Sequence, residues 1–342
     1  MAGAWLPTLE ERARQVLPEH VHTYVRQGSG TSVTAVEAEQ AWERYRLVPR
    51  VLADVSVVDL TTSVLGAVAS GPWGVAPTTL QRAADRRGEV AMAEGCLAAG
   101  VPLVLSSNAS TPFAEVAATG VRWWLQAYLP QDRALAGPML DAAVQAGASA
   151  VVLTLDTPVV ARKEDSGGPS ALDLVPSRWL RVNLGDAAEA PKALDLGPAD
   201  IARLGERTGL PVVAKGVLHP EDARRAVEAG AAAVWVSNHG GRQLDRAVAS
   251  ADQLAGVVEA VGGACEVYVD GGVRSPLDVL TALALGADAV FLGRTPYWAL
   301  AVEGSDGVER AFAELSEGLL EALRLAGCST PHEARGLVCE RR

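Results

Sequence analysis

From residue 72 onward the chain alternates short, unbroken apolar runs with Ala-rich segments of helical length, many of which close on Ala-Gly or Gly-Ala. The apolar runs at 73–76, 102–105, 122–126, 150–155, 211–215, 233–237, 266–269 and 289–292 are predicted strands. Their hydrophobicity is continuous rather than alternating, as in Ala150-Val151-Val152-Leu153, which marks strands covered on both faces of a parallel sheet. Helices are predicted after them at 88–99, 112–118, 133–146, 198–207, 220–229, 251–261, 276–285 and 296–301. Eight such units in about 250 residues predict an α/β chain folded as a (β/α)8 TIM barrel. A doubly wound open sheet is the alternative, but its first turn would carry GxGxxG where this chain reads Pro77-Thr78-Thr79-Leu80. Residues 1–71 are expected to form an N-terminal helical cap, with amphipathic pieces at 9–16 and 35–45 and a turn at Gly28-Ser29-Gly30. Residues 72–342 then make the barrel with a C-terminal helix. The stretch 164–197, rich in Gly, Pro and Ser, is too long for an ordinary connector and is expected to be a lid.

Composition narrows the function. Hydrophobic residues make up 49% of the chain and charged residues 21%, enough to bury a large core and to exclude a disordered tail. Thirty Lys plus Arg face 41 Asp plus Glu, and the net charge of −11 would repel a phosphate backbone, so no nucleic-acid partner is expected. Cys96, Cys265, Cys328 and Cys339 show no metal-binding spacing and read as reduced cytoplasmic thiols, with no metal site. Glu10, Glu11, Arg12 and Arg14 stand where a secretory signal needs apolar residues. Runs such as 279–285 fall short of the roughly 20 residues that span a bilayer, so a cytoplasmic protein without a membrane partner is expected.

In a barrel the chemistry sits where strands end and the following loops begin. Those positions hold Thr78, Thr79, Ser106, Gln126, Tyr128, Thr154, Asp156, Lys215, Ser237 to Arg242, Asp270 to Arg274, Gly293 and Arg294. Such polar groups are costly in a dry barrel mouth unless a ligand satisfies them. Asp270-Gly271-Gly272-Val273-Arg274 and Gly293-Arg294 offer bare backbone N–H groups and two guanidinium groups, a phosphate cradle in the corner where barrels hold phosphate; the other reading is that the glycines serve tight turns. His239 at a strand end can accept a proton, Arg242 can hold a carboxylate, and Asp156 can orient the imidazole; the other reading is a histidine that caps a turn. His20, His22, His219 and His332 are expected on the solvated surface.

Ser-Asn-His-Gly-Gly-Arg-Gln-Leu-Asp at 237–245, followed by Asp-Gly-Gly-Val-Arg at 270–274, resembles the signature of the FMN-dependent 2-hydroxy-acid oxidase and dehydrogenase family, which includes glycolate and lactate oxidases and mandelate dehydrogenases. The resemblance runs through Leu17-Pro18, Tyr24, Val75-Ala76-Pro77-Thr78, Leu105-Ser106-Ser107, Gln126-Ala127-Tyr128, Thr154-Leu155-Asp156-Thr157-Pro158, Val213-Ala214-Lys215-Gly216 and Leu292-Gly293-Arg294. It implies FMN as cofactor and oxidation of an L-2-hydroxy acid to the 2-oxo acid, with oxygen or another acceptor taking the electrons, in a homo-oligomer, a tetramer by resemblance. It implies His239 as catalytic base with Asp156 behind it, Arg242 on the substrate carboxylate, and Tyr24 and Tyr128 on the carboxylate and reacting hydroxyl. Lys215 would place positive charge beside the flavin N1–C2=O edge. Ser106, Gln126 and Thr154 would contact the flavin ring, Asp270, Gly272, Arg274, Gly293 and Arg294 the ribityl chain and phosphate, with Thr78, Thr79 and Ser237 also binding the cofactor.

Against the family pattern, Lys163 stands where a second carboxylate-binding arginine is usual, and lysine lacks the planar fork. Thr79 replaces a small residue against the flavin, Asn108 replaces a large aromatic of several relatives, and the lid is shorter. A wider pocket suits a bulky or aryl, mandelate-like 2-hydroxy acid, although the tryptophans, Trp123-Trp124 among them, serve equally as core. Two classes stay open: a 2-hydroxy-acid oxidase or dehydrogenase, and a flavin-binding tailoring catalyst or weakly active scaffold for a larger, non-standard substrate.

Overall fold

The computed structural model of the chain describes residues 5–164 and 174–340. Trp73–Val75, Leu103–Ser106, Trp123–Ala127, Val151–Thr154, Val212–Val217, Ala233–Val236, Glu266–Val269 and Ala289–Leu292 form a closed barrel of parallel strands. They differ from the expected strands only at their ends. Closure is made by the last strand on the first, Val290 against Trp73 and Leu292 against Val75.

Strand geometry sends alternate residues to opposite faces, and in this barrel both faces are dry. Outward residues such as Leu103, Leu105, Trp123, Leu125, Val151 and Leu153 join the core beneath the helices, while Val104, Trp124, Val152, Val213, Trp235, Tyr268 and Phe291 fill the interior. That double burial is why the runs are continuously apolar. Trp123 and Trp124 are both core, one on each face. Phe291 packs against Trp235 at a 4.1 Å ring separation, Tyr268 at 5.3 Å and Trp124 at 5.4 Å; such pairs contribute about 0.5–1.5 kcal/mol each beyond area burial. The same alternation puts Ser106, Gln126, Thr154 and Lys215 one rung above this aromatic layer.

The N-terminal segment holds one more helix than expected and, beyond residue 44, short strands. Leu9–Val16 is a helix, Glu19–Arg26 is a helix the pattern does not announce, and the helix expected at 35–45 is Val33–Trp42. Tyr45 instead opens the strand Tyr45–Leu47, which pairs antiparallel with Val338–Glu340. Thr62–Val64 and Ala67–Ala69 form a hairpin whose Val64 and Ala69 join the interior cluster. It is tied to the start of the barrel strands, where Glu266 Oε2 accepts from Leu65 N–H at 3.0 Å and Arg122 donates to the Val64 and Ala67 carbonyls. The helix expected at 296–301 is the start of Arg294–Ala326, which bends at Glu303 and Gly304 and continues.

Of the four histidines expected on the surface, His22 is not there. Its ring stacks on Trp298 at 5.0 Å and burial lowers its pKa. In the expected lid, residues 165–173 lie outside the described residues; beyond them 3-10 turns occupy Ser177–Leu180 and Gly185–Glu189. Cys96, Cys265 and Cys328 are free thiols. Among the described residues, no helix is long and apolar enough to cross a membrane, and no cluster of His, Cys, Asp and Glu is arranged to hold a metal ion.

Candidate active site

Above the aromatic layer, two hydrogen-bonded arcs line the barrel mouth. In one, Ser106 Oγ donates to Gln126 Oε1 at 3.1 Å and Gln126 Nε2 donates to Thr154 Oγ1 at 2.9 Å. In the other, the buried Lys215 ammonium donates to Ser237 Oγ at 2.8 Å and pairs with Asp270 Oδ2 at 3.1 Å, while Ser237 Oγ donates to Asp270 Oδ1 at 2.6 Å. Each side chain is fixed by its neighbour, so the rung presents a rigid set of amide, hydroxyl and ammonium groups to the cavity above it.

Ser237 Oγ also accepts the His239 N–H at 3.0 Å. His239 has φ +57°, a left-handed conformation that costs a non-glycine residue about 1 kcal/mol or more. The turn aims its ring at Asp156, with Nδ1 3.0 Å from Oδ1. Burial pushes the Asp156 carboxyl up, but the charge of His239 and its hydrogen bond, helped by Lys215 and Thr157, outweigh it and hold the group at about 2. An ionised carboxylate is an acceptor only, so Nδ1 carries a proton toward Asp156 and Nε2 is the ring nitrogen left for a ligand. Thr157 Oγ1 donates to the same Asp156 oxygen at 3.0 Å and accepts from Gln243 Nε2 at 2.8 Å.

The third side of the cavity comes from the N-terminus. Gly241 and Gly272 both have positive φ, and a Cβ on either would lie 2.4 Å from Ala35 N or 1.9 Å from Ala38 O. Only glycine loops let the helix Val33–Trp42 seat this closely, and Asp245 fixes its start by accepting from Thr31 and Thr34 N–H groups at 3.0 and 2.9 Å. Behind it, Arg242 Nη1 donates to the Tyr24 and Gln27 carbonyls at 2.6 and 3.0 Å, and Arg294 Nε to Val25 O at 3.0 Å. These are carbonyls at the end of the helix Glu19–Arg26, where cations are favoured. The Tyr24 ring is thereby flanked by two cations, Arg242 at 4.8 Å and the Lys163 ammonium at 4.6 Å.

Positive charge accumulates here. Burial lowers the Arg294 pKa to about 9, with Arg274, Arg242 and Arg26 adding repulsion. Burial also lowers Lys163 to about 7, with Arg242 and Arg294 adding to it. Arg274 has a partial counter-charge in Glu39 at 2.7 Å. Like charges held this close are poised for an anion.

All the candidate residues except Asp156 and Ser237 line this one cavity of about 280 Å³; Asp156 acts through His239, and Ser237 lies beneath it between Lys215 and Asp270. The alternation of 162 and 163 is legible too: Arg162 is exposed and Lys163 half-buried. Thr79 commits its hydroxyl to a neighbouring lining residue, donating to Asn108 O at 2.8 Å. Sequence reasoning missed three site residues: Thr157, Gln243 and Lys192, whose ammonium lies 3.9 Å from the centre of the Tyr128 ring. Burial, with Asp156 and Tyr24 nearby, raises the Tyr128 phenol above its ordinary range.

A family model described as FMN-dependent dehydrogenase matches residues 13–340. The chain belongs to the FMN-dependent dehydrogenase family. It is 40% identical to 4-hydroxymandelate oxidase from Amycolatopsis orientalis, covering 97% of each chain, and 39% identical to 2-hydroxyacid oxidase 1 from Homo sapiens, covering 93% of this chain and 91% of that one. L-lactate oxidase from Nostoc sp. is also 39% identical, over 94% and 93% of the two chains. The crystal structure of mandelate oxidase with (S)-4-hydroxymandelic acid superposes with a TM-score of 0.90 at 38% identity, covering 98% of both chains.

The donor set suits the FMN of this family. The Ser106–Gln126–Thr154 arc offers donors and acceptors that would suit a heteroaromatic ring, the Lys215 ammonium would add a fixed positive charge, and a phosphate would relieve the cationic corner of Arg274 and Arg294.

Proposed function

We propose that the protein oxidises a bulky or aryl L-2-hydroxy acid to the corresponding 2-oxo acid. The observation that carries this reading is the His239–Asp156 pair, fixed at 3.0 Å and facing a cavity where Arg242, Lys163 and Tyr24 gather beside the Lys215 rung. The rung and the Arg274–Arg294 corner would hold FMN, which when bound would supply the two-electron acceptor, with oxygen or another acceptor as the final electron sink.

In this reading Arg242 and Lys163 grip the substrate carboxylate and fix the α-carbon over the rung. Tyr24 supports that carboxylate and Tyr128 the reacting hydroxyl. His239 Nε2 takes the substrate proton, and Asp156, ionised at every working pH, stabilises the imidazolium that results. Thr157 and Gln243 keep Asp156 and the ring in register. The preference for a bulky group is supported by Asn108 in place of an aromatic wall and by the aliphatic lining of Val160, Ala161 and Leu180. The names of the mandelate-oxidising relatives point the same way. The reading also includes a division at residues 71/72 between cap and barrel, a cytoplasmic location and a homo-oligomer, a tetramer by family resemblance.

Anaerobic titration of the yellow protein with a panel of 2-hydroxy acids tests it. Aryl members such as mandelate are expected to bleach the flavin faster than glycolate. A flavin that no member of the panel reduces would leave the scaffold reading in its place.

A further inference from the structure

Lys192 lines the cavity, and the reaction described above gives it no role. Its backbone is pinned beside the site by a short antiparallel bridge: Gln131 N–H donates to Pro191 O at 2.8 Å and Ala193 N–H to Leu129 O at 2.9 Å. This holds the side chain over the face of Tyr128 and inside the cavity wall. The ammonium is half-buried, and among the described residues no carboxylate pairs with it.

Its electrostatic setting differs from that of Lys163. Lys163 feels burial and then the repulsion of Arg242 and Arg294, whereas Lys192 feels burial opposed only by Asp156. Lys192 is therefore a second positive centre, set apart from the arginine corner. A flavin phosphate accounts for Arg274 and Arg294, and the reacting carboxylate for Arg242 and Lys163. Asp156 is committed to His239. A half-buried ammonium whose one partner is the face of an aromatic ring is well placed to take an anionic group on a ligand.

Resting on the oxidase reading above, we propose that Lys192 binds a second anionic group on the substrate, so that the substrate class is an aryl 2-hydroxy acid bearing a distal carboxylate. The aliphatic side chains of Val160 and Leu180 line the same cavity and offer apolar surface to the ring of such a substrate. A role for Lys192 confined to its contact with Tyr128 would affect substrates with and without the distal charge equally, which separates the two.

The test uses two matched pairs on the FMN-loaded protein. Binding of the unreactive 4-carboxyphenylacetate and phenylacetate is followed by calorimetry, and flavin reduction is followed with 4-carboxymandelate and mandelate. The dianion is expected to bind at least about tenfold more tightly than the monoanion, with a similar advantage in kcat/KM. Lys192→Met should collapse both ratios toward one, and Lys192→Arg should keep them. A parental ratio of one or less, or a ratio that Lys192→Met leaves unchanged, overturns the assignment. Because the calorimetric ratio needs no turnover, it judges Lys192 separately: flavin that neither hydroxy acid bleaches, with the binding ratio intact, overturns the oxidase reading and not the anion contact.

Discussion

The rung at the barrel mouth and the rim above it are built on opposite plans. The rung is made of strand ends, and each of its polar atoms is tied to a neighbour, as in Lys215–Ser237–Asp270. The rim is made of loops and of the N-terminal segment, and its groups touch rings and carbonyls instead: Lys163 and Arg242 against Tyr24, Lys192 against Tyr128. The rung follows the family pattern, whereas the rim carries the departures Asn108, Lys163 and Thr79. Strands set cofactor chemistry with little freedom to vary, and loops adjust what is oxidised.

If that division holds, damage to the rung should cost structure and flavin together. Lys215→Met strands Asp270 as a buried charge, and about 3–5 kcal/mol of stability is expected to go with it. Denaturant unfolding and flavin content measure both; a variant with parental stability and full flavin would break the comparison. At the junction of rung and rim, His239→Asn should retain flavin yet slow its reduction at least about 10²-fold, the scale of a lost general base. Stopped-flow reduction reads this, and a parental rate would move the base elsewhere.

The smallest effect belongs to the rim alone. Lys163→Met should raise KM about tenfold with flavin content unchanged, since a charge-assisted contact at the low end of the usual range, roughly 1.5 kcal/mol, is lost. Its pH dependence has a defined sign. A pKa lowered to about 7 means that the ligand-free ammonium loses its proton above that pH. A carboxylate prefers the protonated form, so affinity should be full below about 7 and fall as pH rises. Lys163→Met should flatten this profile, and a parental protein without the fall would remove Lys163 from the carboxylate.

Much of this division is legible in the sequence, for a local reason. The barrel strands are continuous apolar runs, and the residues just past them are polar, so the rung and His239 stand out by position. What stays hidden depends on distant contacts. Lys192 lies far from any motif and is brought to Tyr128 by a bridge to Pro130. The helix expected at 296–301 in fact bends at Glu303 and Gly304 and continues to Ala326. His22 looks solvated until Trp298, hundreds of residues later, covers its ring. The arginines of the corner are visible as anion ligands, but not as the clasp on the Val25 and Gln27 carbonyls.

That clasp has a consequence for how the protein is made. The residues around Tyr24 leave the ribosome among the first, yet Arg242, Gly272 and Arg294, on which they seat, leave near the last, and the Arg294–Val25 bond joins residues 269 positions apart. A chain that folds as it is synthesised must hold its opening helices in waiting until the final strands arrive. The pocket cannot be complete before Arg294 has been made, so a nascent or truncated chain that lacks it has no assembled site with which to start an oxidation.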